Sequence, residues 1–533
     1  MNAPAVISLL VCTLLVGFFS WLKSRKVKIT NTTSLFLANR NNSYLLVAGS
    51  LFLSNLSANQ FIGENESVYI NNMTIIGWGI SSVLAMLLVS EFLMPVYFRS
   101  GMITTPDFLE ARYDKGTKRL VSIVFLLSYI VNLLPTVLYT GAVAFNGMFN
   151  ISQVLHVSYW QGIWILVWIM GAVGCTYCIL GGLKAISVSD SILSFGMLII
   201  AVILPVYGLR YLGQGSIIDG LHIIISSKTS HLNAIGNASD AIPFSTIFTG
   251  MLVVNIYYWG MEQYIVQQSL AAKNLSESQK GIALACVAKL LSPLLINVPG
   301  LIAVHLYPDL TNTAQVFPLL IKDALPSLFI GLTGSVILGS AITVYNAGLN
   351  SSSTLFVLNI YKPLKIKRNT PASEKELVKT AKLFEVAISL LAMFIAPFII
   401  FANKGFYNYL QEIAGIFSIP IFTIILVGMI TKRVPPLAAK IAVVFYIICY
   451  VFLHFVFPVK MHFLHLMAIL FVATMALMFL IGRFYPMPHP YESTKTIINK
   501  VQPWKYRYLA AAILILLMIF VFIVFSPLGL VKV

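Results

Sequence analysis

The chain has 533 residues, 58% of them hydrophobic and only 10% charged. A soluble protein carries about 25% charged residues, so most of this chain must lie in lipid, and a soluble enzyme or scaffold is excluded. The formal net charge of +17 calls for no nucleic acid, because basic loops beside anionic headgroups account for it.

A spanning helix needs about 20 apolar residues. Fourteen segments qualify, near 4–22, 44–63, 74–98, 120–148, 157–182, 187–209, 244–268, 281–306, 326–358, 381–402, 407–431, 434–457, 462–482 and 508–529. The expectation is an all-α integral membrane protein of about 14 transmembrane helices. The first segment has no basic stretch before it and no small-residue cleavage site, so it reads as an anchor and not as a signal peptide. The second is weak by hydropathy, because Ser54, Asn55, Ser57, Asn59 and Gln60 interrupt it. Gly181-Gly182 reads as a tight turn between the fifth and sixth spans. Cys175 and Cys178 form a C-x-x-C pair inside an apolar span, which reads as small buried apolar residues.

Of the 35 Lys and Arg residues, 28 fall in alternating loops, six fall on the opposite side, and Lys289 stays in the membrane. By the positive-inside rule the basic loops are cytoplasmic. Both termini then face outward, on a multi-pass protein of the cell membrane. No G-x-x-x-x-G-K-[ST] loop is present, and the spans hold neither a His/Asp/Glu metal cluster nor a nucleophile–base pair. ATP-driven transport by this chain alone and membrane-enzyme chemistry are therefore both disfavoured.

The stretch from Tyr257 to Pro293 carries the most information. An apolar span breaks at aromatics and Gly260, crosses a short basic loop, and re-enters with Lys289. A lysine at membrane depth costs about 2.5–3.5 kcal/mol, so it usually faces a pathway or a ligand. A broken helix is tolerated there only inside protein or around a cavity. A second break falls at Leu53–Leu56, and each break opens a run of five spans, 44–209 and 244–431. Paired interrupted helices at corresponding places point to an inverted repeat with a site between the halves. The chain then divides into an extra helix and basic segment (1–43), a first repeat (44–209), an extracellular loop (210–243), a second repeat (244–431) and three peripheral helices (432–533).

The motifs NQFIG (59–63), GMITTPDFLEAR (101–112), NIYYWG (255–260), QYIVQQSLAAK (263–273), SESQKG (276–281), LNSSSTLF (349–356), NIYK (359–362) and LQEIAG (410–415) resemble the sodium–solute symporter family. The resemblance is closest to its bacterial sodium–galactose, sodium–glucose cotransporter-like branch. It implies a leucine-transporter type of fold with a 5+5 inverted repeat, and inward symport of a sugar or sugar derivative with sodium by alternating access. It places the solute at Asn55, Gln60, Ser82, Asn255, Lys289 and Gln411, with Tyr258 as inner gate. Amides that donate and accept, an ammonium and an aromatic face suit a polyol. Asn55 and Gln60 have an alternative use in satisfying the freed backbone of a broken helix. The resemblance also implies a sodium ion, held by the carbonyls of Leu53, Leu56 and Ser340 and the hydroxyl of Thr343. Asp190 would lie on the sodium exit path; its alternative is pairing with Lys184.

Two positions depart from the family pattern. Where sugar-binding members carry an acid, this chain has Gly79, and where they carry a second hydroxyl after Thr343 it has Val344. Glu64 and Glu66 are expected at the outer mouth, too distant to replace the lost carboxylate. The alternative reading is therefore a weakly coupled or uncoupled carrier or sensor, with Lys289 left to pair with an anionic sugar acid.

Overall fold

The computed structural model describes residues 3–24, 31–56, 58–292, 296–310, 312–401, 406–491 and 501–531. Ser57, Pro293, Lys404, Lys532 and the basic residues at 25–28 and 495–500 lie outside the described residues, as do the side chains of Lys23 and Asn59. Among the described residues the regular elements are helical, apart from one isolated bridge between Asn42 and Ala272. Eleven helices among the described residues are long and apolar enough to cross a bilayer, and a bent pair brings the number to as many as 12. The seventh expected span is built in two pieces, and the eighth is described on either side of residues 293–295. The helices are Gly250–Gly260 with Gln263–Leu270, and Leu275–Ser292 with Val298–Leu306.

The helix Tyr159–Leu212 has 54 residues, which at 1.5 Å each would reach about 80 Å if straight. A bilayer core is about 30 Å thick, so the element must bend. A Cβ added at Gly181 would lie 2.3 Å from the Ala185 Cβ, against about 5–6 Å for neighbours on a straight helix. The expected Gly181-Gly182 turn is thus a sharp bend, separating the spans Tyr159–Gly181 and Leu183–Leu212. The Ala185 carbonyl at the bend accepts from Tyr177 Oη at 2.9 Å and Ser20 Oγ at 3.1 Å.

The first helix, Ala3–Ser24, lies against Ser327–Phe356. Ser8 Oγ donates to the Leu328 carbonyl at 2.6 Å, and Gly331 lets the backbones close, since a Cβ there would sit 2.1 Å from the Ala5 carbonyl oxygen. The outer faces of this helix and of Arg507–Val524 carry exposed leucines such as Leu14 and Leu516. Exposed leucines are what a lipid-facing helix needs.

One buried cation closes the C-terminal end of the helix Phe406–Ile430. Arg112 is 1% exposed, and its guanidinium donates to the carbonyls of Gly428 (2.9 Å), Thr431 (3.0 Å) and Val434 (3.3 Å). Carbonyls at a helix C-terminus have no partner within the helix, and the dipole there favours a positive charge. The planar fork reaches three acceptors at once, which an ammonium cannot copy. Arg112→Ala should therefore cost about 3 kcal/mol or more by leaving buried carbonyls unpaired, and Arg112→Lys should recover only part of it. Thermal unfolding of the detergent-purified protein checks this; an unchanged melting temperature for the alanine variant would show that the cap is redundant.

Candidate functional site

Two interrupted helices face each other across the middle of the molecule. Tyr44–Asn55 ends at Leu56, whose φ of −87° and ψ of 77° are not helical. The chain resumes in Ala58–Ile70, and the two directions differ by 50°. Ser54 and Asn55 favour such a stop because short polar side chains compete with the helix for backbone partners. Gly250–Gly260 ends at Met261 (φ −135°) and Gln263–Leu270 begins two residues later. Gly260 permits this second break, since a Cβ would meet Leu93 Cδ1 at 2.5 Å and Val89 Cγ2 at 2.7 Å.

Tyrosine hydroxyls occupy the backbone groups freed at both breaks. Tyr97 Oη donates to the Gly260 carbonyl at 2.9 Å, and Tyr258 Oη to the Ser54 carbonyl at 3.4 Å. Tyr129 Oη accepts from the Tyr264 amide at 3.3 Å, and Tyr264 Oη donates to Tyr258 Oη at 2.7 Å. Tyr258 therefore ties one broken helix to the other.

Between the breaks lies a cavity of about 170 Å³. Asn55, Gln60, Ser82, Asn255, Tyr258, Lys289 and Gln411 all line it, so the seven residues expected at the solute share one chamber. Lys289, 3% exposed, donates from Nζ to Asn55 Oδ1 at 2.5 Å. Asn255 Nδ2 donates to Ser81 Oγ at 3.0 Å, and Ser82 Oγ to the Gly79 carbonyl at 2.6 Å. The wall opposite is a widened, π-type turn, Tyr129–Leu133, which presents Tyr129 and Asn132 to the cavity. Such turns recur at functional sites because they push side chains off the ordinary helical face.

The residues expected at sodium are placed as follows. Leu53 and Leu56 are fully buried at the first break, in a helix packed on Ser327–Phe356, which carries Ser340 and Thr343. Thr343 Oγ1 donates to the Ser340 carbonyl at 3.1 Å, so these two oxygens are already together. Val344 lines the solute cavity and adds no oxygen. Asp190 is buried beside Ser50 and Thr343, while Lys184 donates instead to Asn42 Oδ1 at 2.8 Å.

One expectation is overturned. Glu64 is not at a distant outer mouth: it is 4% exposed, lines the cavity, and lies close enough to Lys289 for their charges to act on each other. It stands four residues after Gln60 on one helix, hence on the same face, and that spacing was the signal available in the sequence. Glu66, two residues on, is absent from the cavity lining and accepts from Thr313 Oγ1 at 2.5 Å. Sequence reasoning also missed Trp78, whose buried Nε1 has no partner among the described residues, and Glu262. Nothing in its local sequence separates Trp78 from a core residue, whereas Glu262 carried the same signal as Lys289, a charge within an apolar span.

A family model described as the sodium:solute symporter family matches residues 35–442. The chain belongs to this family. It is 36% identical to the uncharacterized symporter YidK of Escherichia coli (strain K12), over 95% of this chain and 88% of that protein. It is 27% identical to the sodium/glucose cotransporter of Vibrio parahaemolyticus, over 84% of each. Among solved structures, a Na+-coupled sialic acid symporter in a substrate-bound outward-open state superposes with a TM-score of 0.77 at 17% identity, over 91% of this chain and 98% of that one. At that identity the match speaks for the fold. The protein is a multi-pass membrane transporter of the symporter family and not an enzyme.

In this symporter Glu262 fastens the second break. Its carboxylate accepts from Tyr129 Oη at 2.5 Å and from Tyr257 Oη at 2.7 Å. A buried hydrogen bond to a charged group contributes about 1.5–3 kcal/mol. Tyr129→Phe and Glu262→Gln should each lower the melting temperature, and the double variant should lose clearly less than the sum, because both act on one contact. Additive losses in that double-mutant cycle would show that the contact is not shared.

Proposed function

We propose that this protein carries a small polar organic solute, a sugar or sugar derivative, into the cell together with sodium by alternating access. The observation that carries the reading is the Lys289–Asn55 pair, set in a buried cavity between two broken helices. Amides, hydroxyls and an ammonium there offer donors and acceptors in several directions, and Trp78 and Tyr258 supply aromatic faces. That mixture fits the alternating C–H faces and hydroxyls of a polyol. The sodium/glucose cotransporter among the relatives supports the same solute class. Asn55, Gln60, Ser82, Asn255, Lys289 and Gln411 hold the solute in this reading, and Tyr258 closes beneath it.

The architecture that goes with this function is 14 spans, ten of them in two inverted halves, with both termini outside the cell membrane. The first helix and the last three pack around that core. The sodium ion sits at the first break, on the carbonyls of Leu53, Leu56 and Ser340 and the hydroxyl of Thr343, and leaves past Asp190. A broken helix suits this task because its unpaired carbonyls point at the ion.

Lys289→Ala should abolish saturable, sodium-driven uptake of the solute into proteoliposomes while the protein still folds and inserts. The neutral variant Lys289→Gln, which keeps some hydrogen bonding, should retain weak uptake. Ordinary kinetics in the alanine variant would remove the central residue of this reading.

A second reading, weak coupling to sodium, rests on Val344. Valine has nearly the shape of threonine without its oxygen, so the cage keeps its volume and loses a ligand. Val344→Ser should lower the sodium concentration needed for half-maximal uptake, and Thr343→Ala should raise it. The measurement is uptake against external sodium. If the native chain already saturates at low sodium and the serine changes nothing, the weak-coupling reading fails.

A further inference from the structure

A buried ammonium that faces a solute cavity selects by charge unless a carboxylate balances it. Around Lys289 three carboxylates deserve comparison, because each lies on or near the same pair of broken helices. Glu262 lines the cavity, but both its oxygens accept from tyrosine hydroxyls. Glu66 is turned to Thr313 and takes no part in the lining. Glu64 lines the cavity, is buried, and lies close enough to Lys289 for their charges to act on each other. The third-span position facing the site offers only Gly79, whose carbonyl is taken by Ser82 Oγ at 2.6 Å.

We infer that Glu64 supplies the counter-charge to Lys289 and thereby sets the cavity's choice of neutral polyhydroxyl solutes over anionic ones. The inference rests on the sodium-driven polyol symport proposed above and names the class of solute within it. With Glu64 ionised, the pair presents a donor group and an acceptor group to the solute at no net charge. A hydroxyl both donates and accepts, so it can serve each partner. A carboxylate only accepts; it would be drawn to Lys289 and repelled by Glu64, and like charges set together are strongly disfavoured. Gln60 and Glu64 come from one face of Ala58–Ile70 while Lys289 comes from Leu275–Ser292. Movement of the first broken helix against its neighbours would therefore change the separation of the pair, leaving the solute to bridge it.

The test compares ligand-induced thermal shifts of the purified, full-length protein in sodium. The probes are D-galactose and myo-inositol as neutral solutes, and D-galacturonate and D-glucuronate as anionic ones. The native protein should respond to at least one neutral probe more strongly than to either acid. Glu64→Gln should move the ratio of apparent affinities toward the acids by about tenfold or more, equivalent to about 1.4 kcal/mol. Adding Gly79→Glu in the Glu64→Gln background should move it back. Should Glu64→Gln fail to fold, Glu64→Asp reads the same ratio, with a smaller shift in the same direction expected. An unchanged ratio in these variants, or a native preference for an acid, overturns the role of Glu64 and leaves sodium-driven symport standing. No sodium-dependent response of the folded native protein to any probe overturns the polyol reading and this inference together.

Discussion

Stopping a helix in the middle of a membrane leaves as many as four carbonyls without partners where one half ends and as many as four amides where the next begins, and hydrocarbon supplies none. The rest of this molecule is arranged around meeting that demand twice. Tyrosine hydroxyls meet part of it at both breaks: Tyr97 on Gly260, Tyr258 on Ser54, and Tyr129 on Tyr264. A phenol suits the task because its ring packs among apolar neighbours while its hydroxyl both donates and accepts. Once these bonds are made, the cavity between the breaks can hold polar side chains that a continuous helix would have excluded.

The same constraint explains why the site is so rich in coupling. Tyr257, Tyr129 and Glu262 form one buried network, and Tyr258 and Tyr264 extend it to the first break. Buried polar networks hold one arrangement well when each group is satisfied and poorly when one is not. A solute that binds Asn55 or Lys289 touches groups already bonded across the two broken helices. Binding therefore acts on the joint between the two broken helices, which is where the proposed alternating access would have to work.

Much of this was legible in the sequence, and for reasons that can be named. The breaks were visible because Ser54, Asn55 and the NIYYWG run interrupt apolar spans that otherwise read cleanly, and Lys289 because hydrocarbon makes a lone lysine conspicuous. The convergence of seven polar residues on one cavity came from family resemblance, since residues as far apart as Asn55 and Gln411 share no local pattern. Glu64 was misread because its neighbours in sequence, Asn65, Glu66 and Ser67, look like the polar mouth of a helix. All of these are buried. Polarity alone cannot tell a solvated end from a lined cavity; the four-residue step from Gln60 does. Trp78 was invisible for the opposite reason, since an aromatic among isoleucines and glycines equally suits an apolar core, while Glu262 was passed over in the aromatic NIYYWG run beside it.

The two departures at Gly79 and Val344 are of different physical kinds. Removing an acid changes the charge of a site, and charge acts over several ångströms, so another residue on the wall can restore the balance from a new direction. Glu64 is placed to do so. Removing a hydroxyl from a cation cage changes a contact that works only at ligand distance, and no residue two helices away can replace it. Substrate charge is therefore a property of the whole cavity and free to move between positions as sequences diverge, whereas sodium affinity is tied to individual oxygens. In the proposed sodium site, the loss at Val344 would therefore bear on coupling even where the loss at Gly79 leaves no mark on charge.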